Sequence, residues 1–308
     1  MWATLPGCRR SPVPPLVVAA HLWPGYEFMF LAQREGLLNE QLVSLRETGS
    51  PSESMRALLE GSVDAAALTL DEVLRTRAQG GHLSVALVFD ISAGADVVLA
   101  RPSIRKLKDI KGKRIGVEEG ALGALMLSEL LKAAYLERAD VEVVPLTIDQ
   151  HEAAWQRGEV DVMVCYPPTS SRLLGAGAVN LFDSRQLPNT IVDVLAVRQE
   201  VLEQKRDAVR HLVAAHFHEV DHLQRNPQDA SYRMSRHLNL PAEAVLAAYK
   251  GILLPESEQN HRLLGGEAPA LLQSARILLH VMLDEKILTQ TDTLDGLLRA
   301  DFLPGEQK

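Results

Sequence analysis

Along this chain, short apolar runs alternate with longer amphipathic stretches, and glycine, proline or serine separates them. Leu16 to Ala20 is continuously apolar and predicts a first buried strand. Trp23-Pro-Gly-Tyr26 then reads as a turn, and Glu27 to Glu35 as a helix ended by Gly36. Leu42 to Glu47 predicts a second strand. Ser50-Pro51 opens a helix that runs to Gly61, with serine at the N-cap and proline in the first turn. Val85 to Asp90, Ala95 to Ala100, Arg114 to Val117, Val141 to Leu146 and Ile191 to Val197 predict further strands. Between them, a glycine-containing turn over 118–123 leads into a helix from Leu125 to Tyr135. From Gln199 onward the pattern is mostly helical, broken at Pro227, Pro241 and Pro255. Strands alternating with helices imply an α/β fold with mainly parallel sheets.

One phrase occurs twice. Ala57-Leu-Leu-Glu-Gly61-Ser-Val63-Asp64 is matched by Ala154-Trp-Gln-Arg-Gly158-Glu-Val160-Asp161. In each copy a helix ends at a glycine suited to the left-handed C-cap. A small or apolar run follows: Ala65 to Leu68 in the first copy, Val162 to Cys165 in the second. Thr69 and Asp71, or Tyr166 and Thr169, come next and can open a further helix. Two such units in 308 residues predict two lobes facing each other, with something held between them.

Composition narrows the class. Apolar residues make up 46% and charged residues 23%, enough for well-formed cores. The net charge of -8 argues against a general nucleic-acid binder. No apolar run reaches the roughly 18 residues that cross a bilayer. Of the two cysteines, Cys165 lies in an apolar run and reads as a small buried hydrophobe. Cys8 follows Leu5-Pro6-Gly7, a tetrad similar to a lipoprotein cleavage site. It is either a lipid-bearing cysteine or an ordinary residue of a proline-rich tether over residues 1–15. No Cys-x-x-Cys spacing, phosphate loop or nucleophile elbow is present, so neither metal nor cofactor nor catalysis is expected. His211, His216, His218 and His222 fall on one late helix and read as surface or interface residues without a carboxylate partner.

The order of phrases resembles the solute-binding proteins of ABC importers, in the branch of nitrate, sulfonate, taurine and thiamine-precursor binders. The phrases are Trp23-Pro-Gly-Tyr26 with Ala32 and Gly36, Gly61-x-Val-Asp64, Asp90-x-Ser92-x-Gly94-Ala-Asp96, and Leu107-Lys-Asp-Ile-Lys-Gly112-Lys113. Glu118-x-Gly120, Gly158-x-Val-Asp161 and Asp183-Ser184 with Pro188 complete the set, which spans about residues 16–225. The resemblance implies a two-lobe clamshell of the type II periplasmic-binding fold. Lobe one would comprise 14–94 plus 197–308 and lobe two 95–196, with hinge crossings near Ala93 and Val197. It further implies a monomer outside the cytoplasm, an ABC permease and its ATPase as partners, and no bond chemistry. The same clamshell could serve a membrane sensor or an enzyme.

In open parallel sheets, ligands bind beyond the carboxyl ends of the strands. That rule selects Trp23, Tyr26, Ser52, Thr69, Asp71, Asp90, Ser92 and Asp96 from the first lobe and hinge, and Glu118, Gly120, His151, Tyr166 and Asp193 from the second lobe and the returning strand. Ser52 and Asp71 double as helix caps, and Asp64 and Asp161 as residues that fix the turn before a strand. Lys106 to Lys113 reads as a solvated turn. Carboxylates dominate this lining and Lys or Arg is almost lacking, whereas a desolvated anion must be paired. The expected ligand is therefore a small nitrogen-rich or cationic molecule, with an oxoanion such as nitrate, a sulfonate or taurine as the alternative. Trp23 and Tyr26 could add stacking or cation–π contact.

Overall fold

The computed structural model describes residues 13–120 and 122–305, so Cys8 and the first twelve residues of the tether lie outside it. The first half of the larger sheet is built by β1 (Leu16–His21), α1 (Glu27–Arg34), β2 (Val43–Thr48), α2 (Pro51–Leu59), β3 (Ala65–Thr69), α3 (Leu70–Ala78) and β4 (Leu83–Ser92). The chain then crosses to a smaller sheet. Its elements are β5 (Val97–Ala100), β6 (Arg114–Val117), α4 (Gly123–Ala134), β7 (Glu142–Pro145), α5 (Ile148–Gln156), β8 (Val162–Cys165), α6 (Thr169–Gly175) and β9 (Val179–Asp183). It returns as β10 (Val192–Arg198) and continues through α7 (Arg206–Arg225), α8 (Pro227–Leu238), α9 (Ala242–Tyr249), β11 (Ile252–Leu253), α10 (Ser257–Leu264) and α11 (Ala270–Asp284).

The larger sheet has the order β11-β4-β10-β3-β1-β2 and the smaller β7-β6-β8-β5-β9. Strands of the repeated βα units pair in parallel: β1 with β2 and β3, β6 with β7 and β8. Both crossings insert antiparallel strands, β10 between β3 and β4, and β5 between β8 and β9. The sheets are therefore mixed rather than mainly parallel, because a strand that enters from the other lobe arrives from the opposite end. β10 is part of the larger sheet, so the return crossing lies between Asp183 and Val192, ahead of the expected Val197.

The repeat is structural. Gly61 and Gly158 both take left-handed backbone, with φ of 68° and 71°. In each copy the following aspartate bonds the neighbouring parallel strand twice. The Asp64 amide donates to Val17 O (2.9 Å) and its Oδ2 accepts from Val17 N (2.8 Å). The Asp161 amide donates to Arg114 O (2.9 Å) and its Oδ2 accepts from Arg114 N (3.1 Å). A cation covers each carboxylate: Lys205 over Asp64 and Arg114 over Asp161. These aspartates thus fix strand register, as the sequence implied.

The late helices close the fold. α7 packs on α1 and α8 through Phe28, Leu31, Val220, Leu223, Met234 and Leu238, all buried. Each such side chain contributes roughly 2 kcal/mol when removed from water. α10 lies along β4, where the Asn260 amide accepts from Val88 N (2.7 Å) and donates to Val88 O (3.1 Å). His216 corrects the reading of the late-helix histidines as surface residues. It is fully buried between Phe28 and Phe89, with ring centroids 5.4 Å and 5.1 Å away, and burial lowers its pKa to about 3. His222 also differs from expectation, since its two ring nitrogens meet Glu219 and Asp229 at 3.0 Å and 2.9 Å.

Candidate functional site

The two sheets face each other across the carboxyl ends of β1, β3, β6 and β8, and the predicted residues gather there. The turn after β1 supplies two donors. Trp23 Nε1 donates to Asp90 Oδ2 (3.0 Å), and the Tyr26 hydroxyl donates to Asp193 Oδ1. Asp90 and Asp193 are register partners on β4 and β10; burial raises the pKa of both carboxyl groups, and the Asp90 charge raises that of Asp193 further. Only glycine fits between Trp23 and Tyr26 at position 25, because a Cβ there would fall inside the Asp90 carboxylate.

Thr69 ends β3 at the N-cap position of α3, and the Glu72 Oε2 accepts from the Thr69 amide (2.9 Å), the returning half of a capping box. The other Glu72 oxygen accepts from Leu122 N (3.2 Å), on the far side of the cleft. Glu118, beyond β6, spans the cleft in the opposite sense. Its Oε1 accepts from Ser52 N (3.1 Å) and its Oε2 from Ile148 N (3.0 Å). Gly120 sits exposed at the rim beside Ser52. The Tyr166 ring from the smaller-sheet side meets Trp23 edge-on at 5.5 Å and His21 at 5.7 Å. Ser92 and Ser184 pair at 2.7 Å where the chain crosses between lobes, and Asp96 lies against Ser92. His151 is buried, its Nε2 3.2 Å from Leu146 O.

Burial dominates the electrostatics. Asp71, Glu72, Asp90, Asp96, Glu118 and Asp193 are all buried. Desolvation raises every one of their pKa values, with Glu72 at about 8 and Asp96 at about 7. The same cause lowers His21 to about 3 and His151 to about 4, so neither ring is a cation at neutral pH. Arg75, one helical turn beyond Asp71, is the guanidinium that acts on this cluster. The remaining cavity has room for about 20 Å³ and is lined by Glu72, Asp96, Glu118, His151, Cys165 and Tyr166. That is space for about one water. His151 Nδ1 and the Tyr166 hydroxyl, on its lining, are buried without a protein partner, as is His21 Nδ1 next to the Tyr166 ring.

Ser50 caps α2 by accepting from Glu53 N (3.2 Å), as the sequence implied, and Thr69 occupies the cap position of α3, so Ser52 and Asp71 are not caps. Glu72 and His21 belong to the cluster and were missed. The signal for Glu72 was the spacing Thr69-x-x-Glu72, which marks a capping box; His21 had no local signal.

Comparison with known proteins places this geometry. Residues 23–230 match the family model described as NMT1/THI5 like. The putative aliphatic sulfonates-binding protein of Escherichia coli (strain K12) is 29% identical over 229 residues, covering 72% of this chain and 71% of its own length. The taurine-binding periplasmic protein of the same organism is 26% identical over 247 residues, covering 77% of each. Among solved structures, the alkanesulfonate-binding protein SsuA from Xanthomonas axonopodis pv. citri, bound to MOPS, superposes with a TM-score of 0.79 at 17% identity. The match covers 94% of this chain and all of that one, and it shows the shared two-lobe periplasmic-binding fold. With its matched segment holding both repeats and most of the buried carboxylates, the chain belongs to the NMT1/THI5-like family.

Proposed function

We propose that this chain is the periplasmic solute-binding component of an ABC importer. It captures a small nitrogen-rich or cationic molecule between its lobes and hands it to a permease and ATPase. The observation that carries the ligand class is the cluster of buried carboxylates, drawn from both sides of the cleft, with neutral histidines beside it. Amine or amidine donors would pair these groups, and a desolvated anion would face them unpaired. Capture proceeds by closure about the crossings between Ser92 and Val97 and between Asp183 and Val192. The lobes would then be 14–94 with the segment after β9, against 95–183. No bond is made or broken, and Cys8 is the candidate lipid anchor.

A second reading is favoured by the relatives, whose names stand closer to an oxoanion than to a cation. Titration calorimetry separates the two. The panel pairs amines, amidines and aminopyrimidines with nitrate, ethanesulfonate and taurine, in buffers of different ionisation enthalpy. A cationic ligand ionises the protonated carboxyls and releases protons; an oxoanion releases none. At about 100 times its dissociation constant, the true ligand adds about 2.7 kcal/mol of stability. Saturable binding of sulfonates alone would replace the first reading with the second, and no binding from either set would overturn both.

A further inference from the structure

Two of the buried carboxyl groups are bonded through both oxygens. They meet backbone amides at helix N-termini, and each reaches across the cleft to do so. Glu118 takes the Ser52 amide in the first turn of α2 and the Ile148 amide at the start of α5. Glu72 takes its own cap amide at Thr69 and the Leu122 amide just ahead of α4. α2 and α5 are each nine residues long, and their first amides have no partner within the helix. Amides at such a position, with the positive end of the helix dipole behind them, form an anion seat. Glu118 thus receives two amides, donors of the kind a sulfonate or carboxylate ligand would require. Gly120 makes the approach possible, since a Cβ there would come within 2.8 Å of Ser52 Oγ.

We infer that the carboxyl groups of Glu118 and Glu72 occupy the amide seats of the cleft and exclude free oxoanions from it. The inference rests on the reading of this cleft as a solute site and adds the residues that set its selectivity. It also accounts for a carboxylate-rich lining in a chain whose relatives bind sulfonates. A ligand without negative charge can enter beside these side chains. A sulfonate has to displace one of them, and the displaced carboxylate would then stand buried without donors. Glu118 carries most of the effect, because both of its amides open other helices, whereas Glu72 spends one oxygen on the cap amide of its own helix.

The test compares the unsubstituted protein with Glu118→Ser, Glu72→Ser and Glu118→Gln, titrated with ethanesulfonate and with acetate. Glu118→Ser empties the seat, whereas Glu118→Gln keeps an acceptor oxygen in it. The expected result is saturable ethanesulfonate binding by Glu118→Ser at least about tenfold tighter than by the unsubstituted protein, with a smaller gain in Glu72→Ser and none in Glu118→Gln. Acetate should raise the melting temperature of Glu118→Ser and leave that of the unsubstituted protein unchanged. A folded Glu118→Ser that gains neither effect overturns the inference, as does tight sulfonate binding by the unsubstituted protein that Glu118→Ser abolishes. Should Glu118→Ser not fold alone, refolding in acetate decides: recovery supports the inference and failure overturns it. These outcomes compare variants, so they stand apart from the solute-binding reading, which fails only when the unsubstituted protein binds nothing in the wider panel.

Discussion

Replacing Asp96 with asparagine should change how stability depends on pH. Asp96 is 4% exposed, bonded to the Ser92 hydroxyl and near the like charge of Asp71. Burial raises its pKa from 3.8 to about 7. The unfolded chain therefore ionises first, and the folded state is favoured most below about pH 4. That stability is lost as the pH climbs through about 7, and the curve then levels. A shift of about three units at roughly 1.4 kcal/mol each is about 4 kcal/mol over the whole window, of which about 2.5 kcal/mol falls between pH 5 and 8. Asparagine keeps the shape and carries no charge. Urea midpoints at about pH 5, 6, 7 and 8 should show Asp96→Asn gaining on the unsubstituted protein by about that amount, at constant m-value. Asp90 and Asp193 feel the Asp96 charge, so the difference between the curves reports Asp96 together with that coupling. Parallel curves would refute the premise that this carboxyl is driven neutral by burial.

Three further outcomes follow from the packing. Gly25→Ala forces the Trp23 turn off Asp90 and should cost about 1–3 kcal/mol of stability in urea unfolding, with loss of ligand binding by calorimetry. Lys205→Met leaves the largely buried Asp64 carboxylate without its cation and should cost about 3 kcal/mol, part of which a second change, Asp64→Asn, restores. Asn260→Leu strips both hydrogen bonds from Val88 and should lower stability by about 3 kcal/mol; amide exchange at Val88 should accelerate with it.

What the sequence made legible was local. Gly61 and Gly158, with their aspartates, announced both βα units because a helix stop and a strand start lie within a few residues of each other. Trp23, Tyr26, Asp90 and Asp193 could be placed at the cleft because each sits at a strand end. What stayed hidden depends on partners far away in the chain. The direction of β5 and β10 is set by the side from which the chain enters a sheet, which periodicity does not record. His216 sits on a helix rich in polar residues, and only Phe28 and Phe89 reveal it as buried. Glu72 carried a capping signal that was also, unannounced, a bond to the opposite lobe.

The position of β10 bears on the order in which the molecule can assemble. It is the strand that joins β3 to β4, yet it lies beyond the whole of the smaller sheet in the chain. During synthesis β5 to β9 emerge as one uninterrupted run and can complete their own sheet. The earlier strands must wait with two edges unpaired until residue 198 is available. Closing that gap is a long-range pairing and carries the slow loop-closure step. The smaller sheet should therefore gain hydrogen-exchange protection first in refolding, and the larger sheet only when β10 docks.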